Sequence, residues 1–156
     1  MRIGVVSDSH GYLYSLDKAL QRMGDIDMII HAGDGYKDLV KVNSKYQKRI
    51  EYVRGNNDFS LEVPTENVIS LEGVKIFLTH GDRYGVYFGI DRLCYKGMEE
   101  EANIIIYGHT HKQSLEYENG IWVLNPGSTS LPRASAPGYA IMDIKDGDIN
   151  IEMFTI

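Results

Sequence analysis

Apolar residues fall in short runs parted by polar turns, and the period of the pattern changes along the chain. Ile3 to Val6 is an apolar run with the length of a buried strand. Residues 12 to 23 place Leu13, Leu16, Ala19, Leu20 and Met23 on one face at helical spacing. Met28 to Ile30 is a second buried strand, 37 to 46 a helix with Leu39 and Val42 inward, and Ile50 to Val53 a third strand. Strand, helix, strand, helix, strand predicts a parallel sheet joined by crossover helices. The second half changes character. Val68 to Leu71 and Val74 to Leu78 flank Glu72-Gly73 as a hairpin, a helix covers 89 to 101, and Ile104 to Tyr107 is again strand-like. Ser114 to Tyr117, Ile121 to Leu124, Tyr139 to Ile144 and Ile149 to Phe154 are further strands, turning at Glu118-Asn119-Gly120 and Asp146-Gly147-Asp148. About nine or ten strands are too many for one small open sheet of the usual size. Two stacked sheets with helices outside pack them more economically, as an α/β fold of one domain over residues 1 to 156 with no repeat and no linker.

Composition changes this picture only at the edges. A chain of 156 residues can bury a core without disulfides, and its 43% apolar and 24% charged content is ordinary for a globular protein. The net charge of −6 argues against nucleic acid as the main partner, because such proteins carry a basic face. A small phosphorylated substrate stays open, since bound metal ions reverse the field locally. Cys94 is the lone cysteine, and its setting Arg92-Leu93-Cys94-Tyr95 predicts a half-buried helix position rather than a catalytic thiol. Met1-Arg2-Ile3-Gly4-Val5 runs straight into a strand with no signal-peptide layout, and no apolar stretch reaches the roughly 18 residues of a membrane span. The expectation is a cytoplasmic protein without a membrane partner.

The candidate chemistry lies where the runs stop. Asp8-Ser9-His10, Gly33-Asp34, Gly55-Asn56-Asn57-Asp58, His80-Gly81-Asp82 and Gly108-His109-Thr110-His111 each follow a strand. In sheets fed by crossovers, ligand sites gather at the carboxyl ends of strands, so five such ends converge on one rim. Aspartate, asparagine and histidine are ligands for borderline or hard divalent metals. Taken alone, Asp8 fits a helix-capping role, and Asp34 and Asn56 fit turns. Their order with the histidines points instead to a metalloenzyme with room for two ions. His31, on its strand rather than past its end, is assigned to packing or to supporting hydrogen bonds, and Asp58 and Asp82 to orienting neighbours.

The order Asp-x-His, Gly-Asp, Gly-Asn-x-Asp, His-Gly and Gly-His-x-His resembles the calcineurin-like metallophosphoesterases, within them the small, cap-free bacterial and archaeal phosphodiesterase branch, over roughly residues 1 to 145. The resemblance implies a four-layer α/β-β/α sandwich, two stacked mixed sheets flanked by helices. It implies two divalent ions, most often Mn2+, with Ni2+, Fe2+, Zn2+ or Mg2+ as variants. Carried over by position, Asp8, His10 and His111 hold one ion, Asn56, His80 and His109 the other, and Asp34 bridges. Asp34, Asn56 and His109 are then the residues at the catalytic centre. The implied reaction is hydrolysis of a small phosphodiester, a metal-bound hydroxide being the nucleophile; such a water has its pKa lowered toward ~7. Many members carry histidine where this chain has Asn57, which donates a hydrogen bond but delivers no proton. Asn57, Arg83, Tyr84 and Arg133 are expected at the substrate, with Tyr36, Tyr87, Phe88 and Lys112 as further rim candidates. Asn125-Pro126-Gly127-Ser128 matches a late loop near the metals. The alternatives are a phosphomonoesterase on the same site, or a non-catalytic interaction scaffold with this fold. A homodimer would need an apolar face, which exposed Tyr, Phe and Met residues around 84 to 98 would offer.

Overall fold

Each of the ten apolar runs is a strand in the computed structural model, which describes residues 1–156. In chain order these are β1 (Arg2–Val6), β2 (Met28–His31), β3 (Arg49–Tyr52), β4 (Glu66–Leu71), β5 (Val74–Thr79), β6 (Ile104–Ile106), β7 (Gln113–Glu118), β8 (Ile121–Pro126), β9 (Gly138–Lys145) and β10 (Asp148–Thr155). Three helices, α1 (Leu13–Met23), α2 (Tyr36–Tyr46) and α3 (Asp91–Glu99), complete the chain with a 3-10 turn at Asp82–Tyr84.

The strands form two five-stranded sheets, ordered β10-β9-β1-β2-β3 and β4-β5-β6-β8-β7. In the first sheet, β1 pairs in parallel with β2 and β2 with β3, and β9 runs antiparallel to both β1 and β10. In the second, β5, β6 and β8 are parallel, flanked by antiparallel β4 and β7. Both sheets are mixed.

Alternation along β1 decides its two faces. Ile3 and Val5 join Met28, Ile30, Ile76, Leu78, Ile104, Ile106 and Leu124 in the core between the sheets. Val6 points the other way, where Leu16, Ala19, Leu20 and Leu39 of the helices cover it. Gly4 shares that outer face, where Met23 and Ile26 approach its backbone more closely than a side chain would allow. On the far side Leu93 and Cys94 of α3 pack against Phe77, Ile105 and Val123. The layers run helix, sheet, sheet, helix. Burying each large aliphatic side chain contributes about 1.5–3 kcal/mol, so the inter-sheet core, the largest of the three clusters, contributes more than either helix-covered one.

The third helix is shorter than its apolar period predicts. Gly89 at φ +134° keeps the entry out of the helix, and Glu101 at φ +56° ends it. Tyr87 and Phe88 ahead of it and Tyr95 and Met98 on it are exposed. No helix is long and apolar enough to cross a membrane.

Candidate metal centre

The parallel strands of both sheets bring their carboxyl ends to one edge of the interface between them. Backbone bonds lock the loops there: Asp8 N–H donates to Gly33 O at 3.0 Å, and Gly108 N–H to His80 O at 3.0 Å. Asp8 sits just past β1 and is fully buried. Its Oδ2 accepts from Ser7 Oγ at 2.6 Å and from the His109 N–H at 3.1 Å. Its Oδ1, equally buried, has no hydrogen-bond partner at all. That oxygen faces three imidazoles: His111 Nε2 at 3.2 Å, His10 Nε2 at 3.7 Å and His80 Nε2 at 3.9 Å.

The histidines are held so that their free nitrogens point inward. The Nδ1 of His80 lies 2.7 Å from Ala32 O, and the Nδ1 of His111 lies 2.7 Å from Leu131 O. A carbonyl there places the proton on Nδ1 and leaves the Nε2 lone pair for the centre. His10 Nε2 and His111 Nε2 come within 3.0 Å, and His109 Nδ1 and His80 Nε2 within 3.3 Å. Asp34, past β2, puts Oδ2 3.3 Å from His80 Nε2 and 3.7 Å from His10 Nε2. Two donor triads result, Asp8–His10–His111 and Asp8–Asp34–His80.

Electrostatics agree with a centre built for positive charge. Burial alone would raise the Asp8 carboxyl, but its contacts with His10 and His111 and the charge of His80 hold it well below the usual carboxylate range. Burial would lower His80, yet the Asp34 hydrogen bond and the nearby Asp8 charge push it up to about 9. An unpartnered buried carboxylate oxygen facing converging imidazole nitrogens is a donor set that a divalent cation, displacing their protons, satisfies. The residues present fit such an ion.

Six of the seven expected ligands are thus gathered: Asp8, His10, Asp34, His80, His109 and His111. Asn56 is exposed and lines a 310 Å3 hollow with Arg54, Asp82 and Arg83 at the lip. Its neighbour Asn57 is the one on Asp34, donating its N–H to Oδ1 and its Nδ2 to Oδ2, each at 2.8 Å. Asp58 orients the loops: its carboxylate accepts from the N–H groups of Asp34, Gly35 and Gly55. His31 is buried and neutral, pushed down to about 4 by burial. It accepts from the Gly33 N–H at Nδ1 and contacts Ser9 Oγ at 3.1 Å through Nε2, a bracing role. In the late loop, Asn125 Nδ2 donates to Gly108 O at 2.9 Å, and Ser128 Oγ to Asp8 O at 2.7 Å.

The rim differs from expectation in two places. Tyr84 turns away from the centre, its hydroxyl donating to Glu66 and its ring edge-on to Phe77. Tyr36 is buried and stacks on Tyr52, because it opens α2 on the helix's inward face. Arg133 does reach the rim, where its Nη1 donates to Tyr87 Oη at 2.7 Å. Ser7, Ser9 and Asp38 are supports that sequence reasoning missed: Asp38 accepts from Ser9 Oγ at 2.7 Å and Gly11 N–H at 2.8 Å. Ser7 and Ser9 signal themselves only by flanking Asp8, and Asp38 has no signal in the sequence.

Comparison with known proteins adds an independent line. The model of the calcineurin-like phosphoesterase superfamily domain matches residues 1–147. A probable metallophosphoesterase of Methanocaldococcus jannaschii is 33% identical over 151 residues, covering 94% of this chain and 77% of its own. The phosphodiesterase YfcE of Escherichia coli K12 is 29% identical over 170 residues, covering 92% of this chain and 88% of its own. A crystal structure from Streptococcus pneumoniae TIGR4, a predicted phosphoesterase, superposes with a TM-score of 0.82 at 36% identity, covering 99% of this chain and 88% of that one.

Proposed function

The chain belongs to the calcineurin-like phosphoesterase superfamily, and on that premise we propose that it is a metal-dependent phosphodiesterase acting on small diesters. The observation that carries the reading is the buried Asp8 Oδ1, without a partner and facing three imidazole nitrogens. Asp8, His10 and His111 would hold one divalent ion and His80 and His109 a second, with Asp34 between them and the exposed Asn56 left out of the set. When bound, such a pair supplies a hydroxide nucleophile at neutral pH and countercharge for the phosphoryl oxygens.

The chain's own groups divide the remaining work. Asn57 Nδ2 stands on Asp34 and can turn its N–H to a phosphoryl oxygen. Lacking an acidic proton, it leaves the departing oxygen unprotonated, which favours esters of acidic alcohols and phenols. Arg83 at the lip attracts the anionic substrate to an otherwise acidic molecule. The name of the Escherichia coli relative supports a diester over a monoester.

The test is hydrolysis of bis-p-nitrophenyl phosphate by metal-stripped protein before and after manganese is added, with p-nitrophenyl phosphate and Asp34→Ala alongside. Manganese should restore diester turnover, and Asp34→Ala should lower it by at least ~10²-fold, the scale of losing one electrostatic stabiliser. Folded protein inactive with every divalent metal would leave only an interaction role for the fold.

A further inference from the structure

Beside the metal centre lies a cavity of about 550 Å3, a volume typical of small-molecule sites. Its connection to the centre is direct. Tyr87 forms one wall, its ring edge-on to His109 with centroids 4.7 Å apart and its hydroxyl donating to His109 O at 3.0 Å. Arg133 lines the cavity too: its Nη1 donates to that hydroxyl, and its backbone N–H donates to His111 O at 2.9 Å. Tyr107, buried, lines the interior.

Another part of the lining has a polarity set by the strand itself. Lys112, which immediately precedes β7, and Ser114 and Glu116 on it are spaced two apart, so all three share one face, and all three line the cavity. Over roughly 13 Å of extended chain this wall passes from a cation beside the centre to a hydroxyl and then to a carboxylate. Ser114 Oγ donates to Glu116 Oε1 at 3.1 Å, which fixes the carboxylate's direction. The near end, with Lys112 and Arg133, matches phosphate oxygens. The far end, with Glu116, repels a second phosphate and accepts from ring N–H groups. The tyrosines between offer flat apolar surface to a ring.

We propose that this cavity is the subsite for one ester group of the substrate, and that it takes a nucleoside: phosphate at the Lys112–Arg133 end, base edge at Glu116. The inference rests on the phosphodiesterase reading and names the substrate class of that site. It makes Ser114 and Glu116 the specificity determinants, with Lys112 on the phosphate, of an enzyme whose metal ligands are indifferent to the ester group.

The experiment compares, in manganese-loaded protein, kcat/KM for thymidine 5′-(p-nitrophenyl phosphate) with that for methyl p-nitrophenyl phosphate. The ratio of the two is the readout, because any general damage to the centre cancels in it. Wild-type protein should favour the nucleoside ester by at least about tenfold, the effect of one charge-assisted hydrogen bond. Glu116→Ala should reduce that preference, and Ser114→Phe, which fills the cavity from β7, should abolish it. Equal ratios in wild type and both variants would overturn the proposal. If neither ester is turned over, the diesterase reading fails by itself. Binding of thymidine 5′-monophosphate to the manganese-loaded protein, by calorimetry, then decides the subsite alone: binding lost in Ser114→Phe supports it, and no binding to wild type refutes it.

Discussion

Five of the gathered donors have a backbone conformation that side-chain-bearing residues avoid. Asp8, His10, Asp34, His109 and His111 all lie at φ between +48° and +69°. Each such residue costs about 1 kcal/mol or more and persists only where its surroundings over-determine it. Here they do, through Ser7, Asn57, Leu131 and the backbone of the facing loops. The sequence showed which side chains would meet, because Asp-x-His and His-x-His past apolar runs have few other uses. It could not show the left-handed turns that aim them, since the enrichment of Asp and His at positive φ is too weak to fix the backbone at a given position. Nor could it tell Asn56 from Asn57: two adjacent asparagines share one chemistry, and the loop's path alone sets which one meets Asp34. Asn57 carries a prediction at this scale. Asn57→His should raise kcat by about 10²-fold on phenyl or alkyl diesters while changing p-nitrophenyl esters little, so the dependence of rate on leaving-group pKa flattens. An unchanged slope would remove this position from leaving-group chemistry.

At the scale of elements, the strands were legible and the braces between them were not. All ten apolar runs became strands because periodicity reports burial directly, as β1 illustrates with Ile3 and Val5 inward and Val6 outward. The ends of α3 were overextended because apolar spacing continues past Gly89 and Glu101, where the backbone turns left-handed. Polar braces such as Ser9, Asp38 and Ser128 are buried hydrogen-bond hubs, and small polar residues near strand ends look the same when they merely cap or turn. Gly108 shows how tightly these loops are fitted. A Cβ on it would collide with Ser7 Oγ and the Asp8 carboxylate, so no side chain can stand between β1 and the loop after β6. Gly108→Ala should therefore cost about 1–3 kcal/mol of stability and weaken manganese affinity at least about tenfold. Denaturant melts and manganese titration measure both. Wild-type affinity in a destabilised variant would show that the loop's position is not what holds the donors together.

For the molecule as a whole, the centre links stability to pH in a direction that metal reverses. Without metal, His80 keeps its proton to about pH 9, against 6.5 for an unperturbed imidazole. Between those values the folded state binds the extra proton. Stability from His80, up to about 3 kcal/mol, is therefore complete below pH 6.5 and lost as pH rises through 9. His10 is raised by the facing Asp8 carboxylate and acts in the same sense. Buried His31, lowered to about 4, acts oppositely but only below pH 6.5. A metal ion needs these imidazoles deprotonated, so its affinity climbs over the same window. The melting temperature of metal-free protein should fall from pH 6.5 towards 9 while the gap to the manganese-loaded protein widens. A gap independent of pH would mean that the ion does not displace these protons. The order of strands has a further consequence, for synthesis on the ribosome. Because β9 lies between β1 and β10, the edge of β1 stays unpaired until the chain has grown past Lys145. Asp8 and Asp34 emerge early, yet His109 and His111 are some hundred residues behind Asp8. A nascent chain thus exposes a sticky strand edge until Lys145 has passed, and the Asp8–Asp34–His80 triad can form well before His10 and Asp8 meet His111.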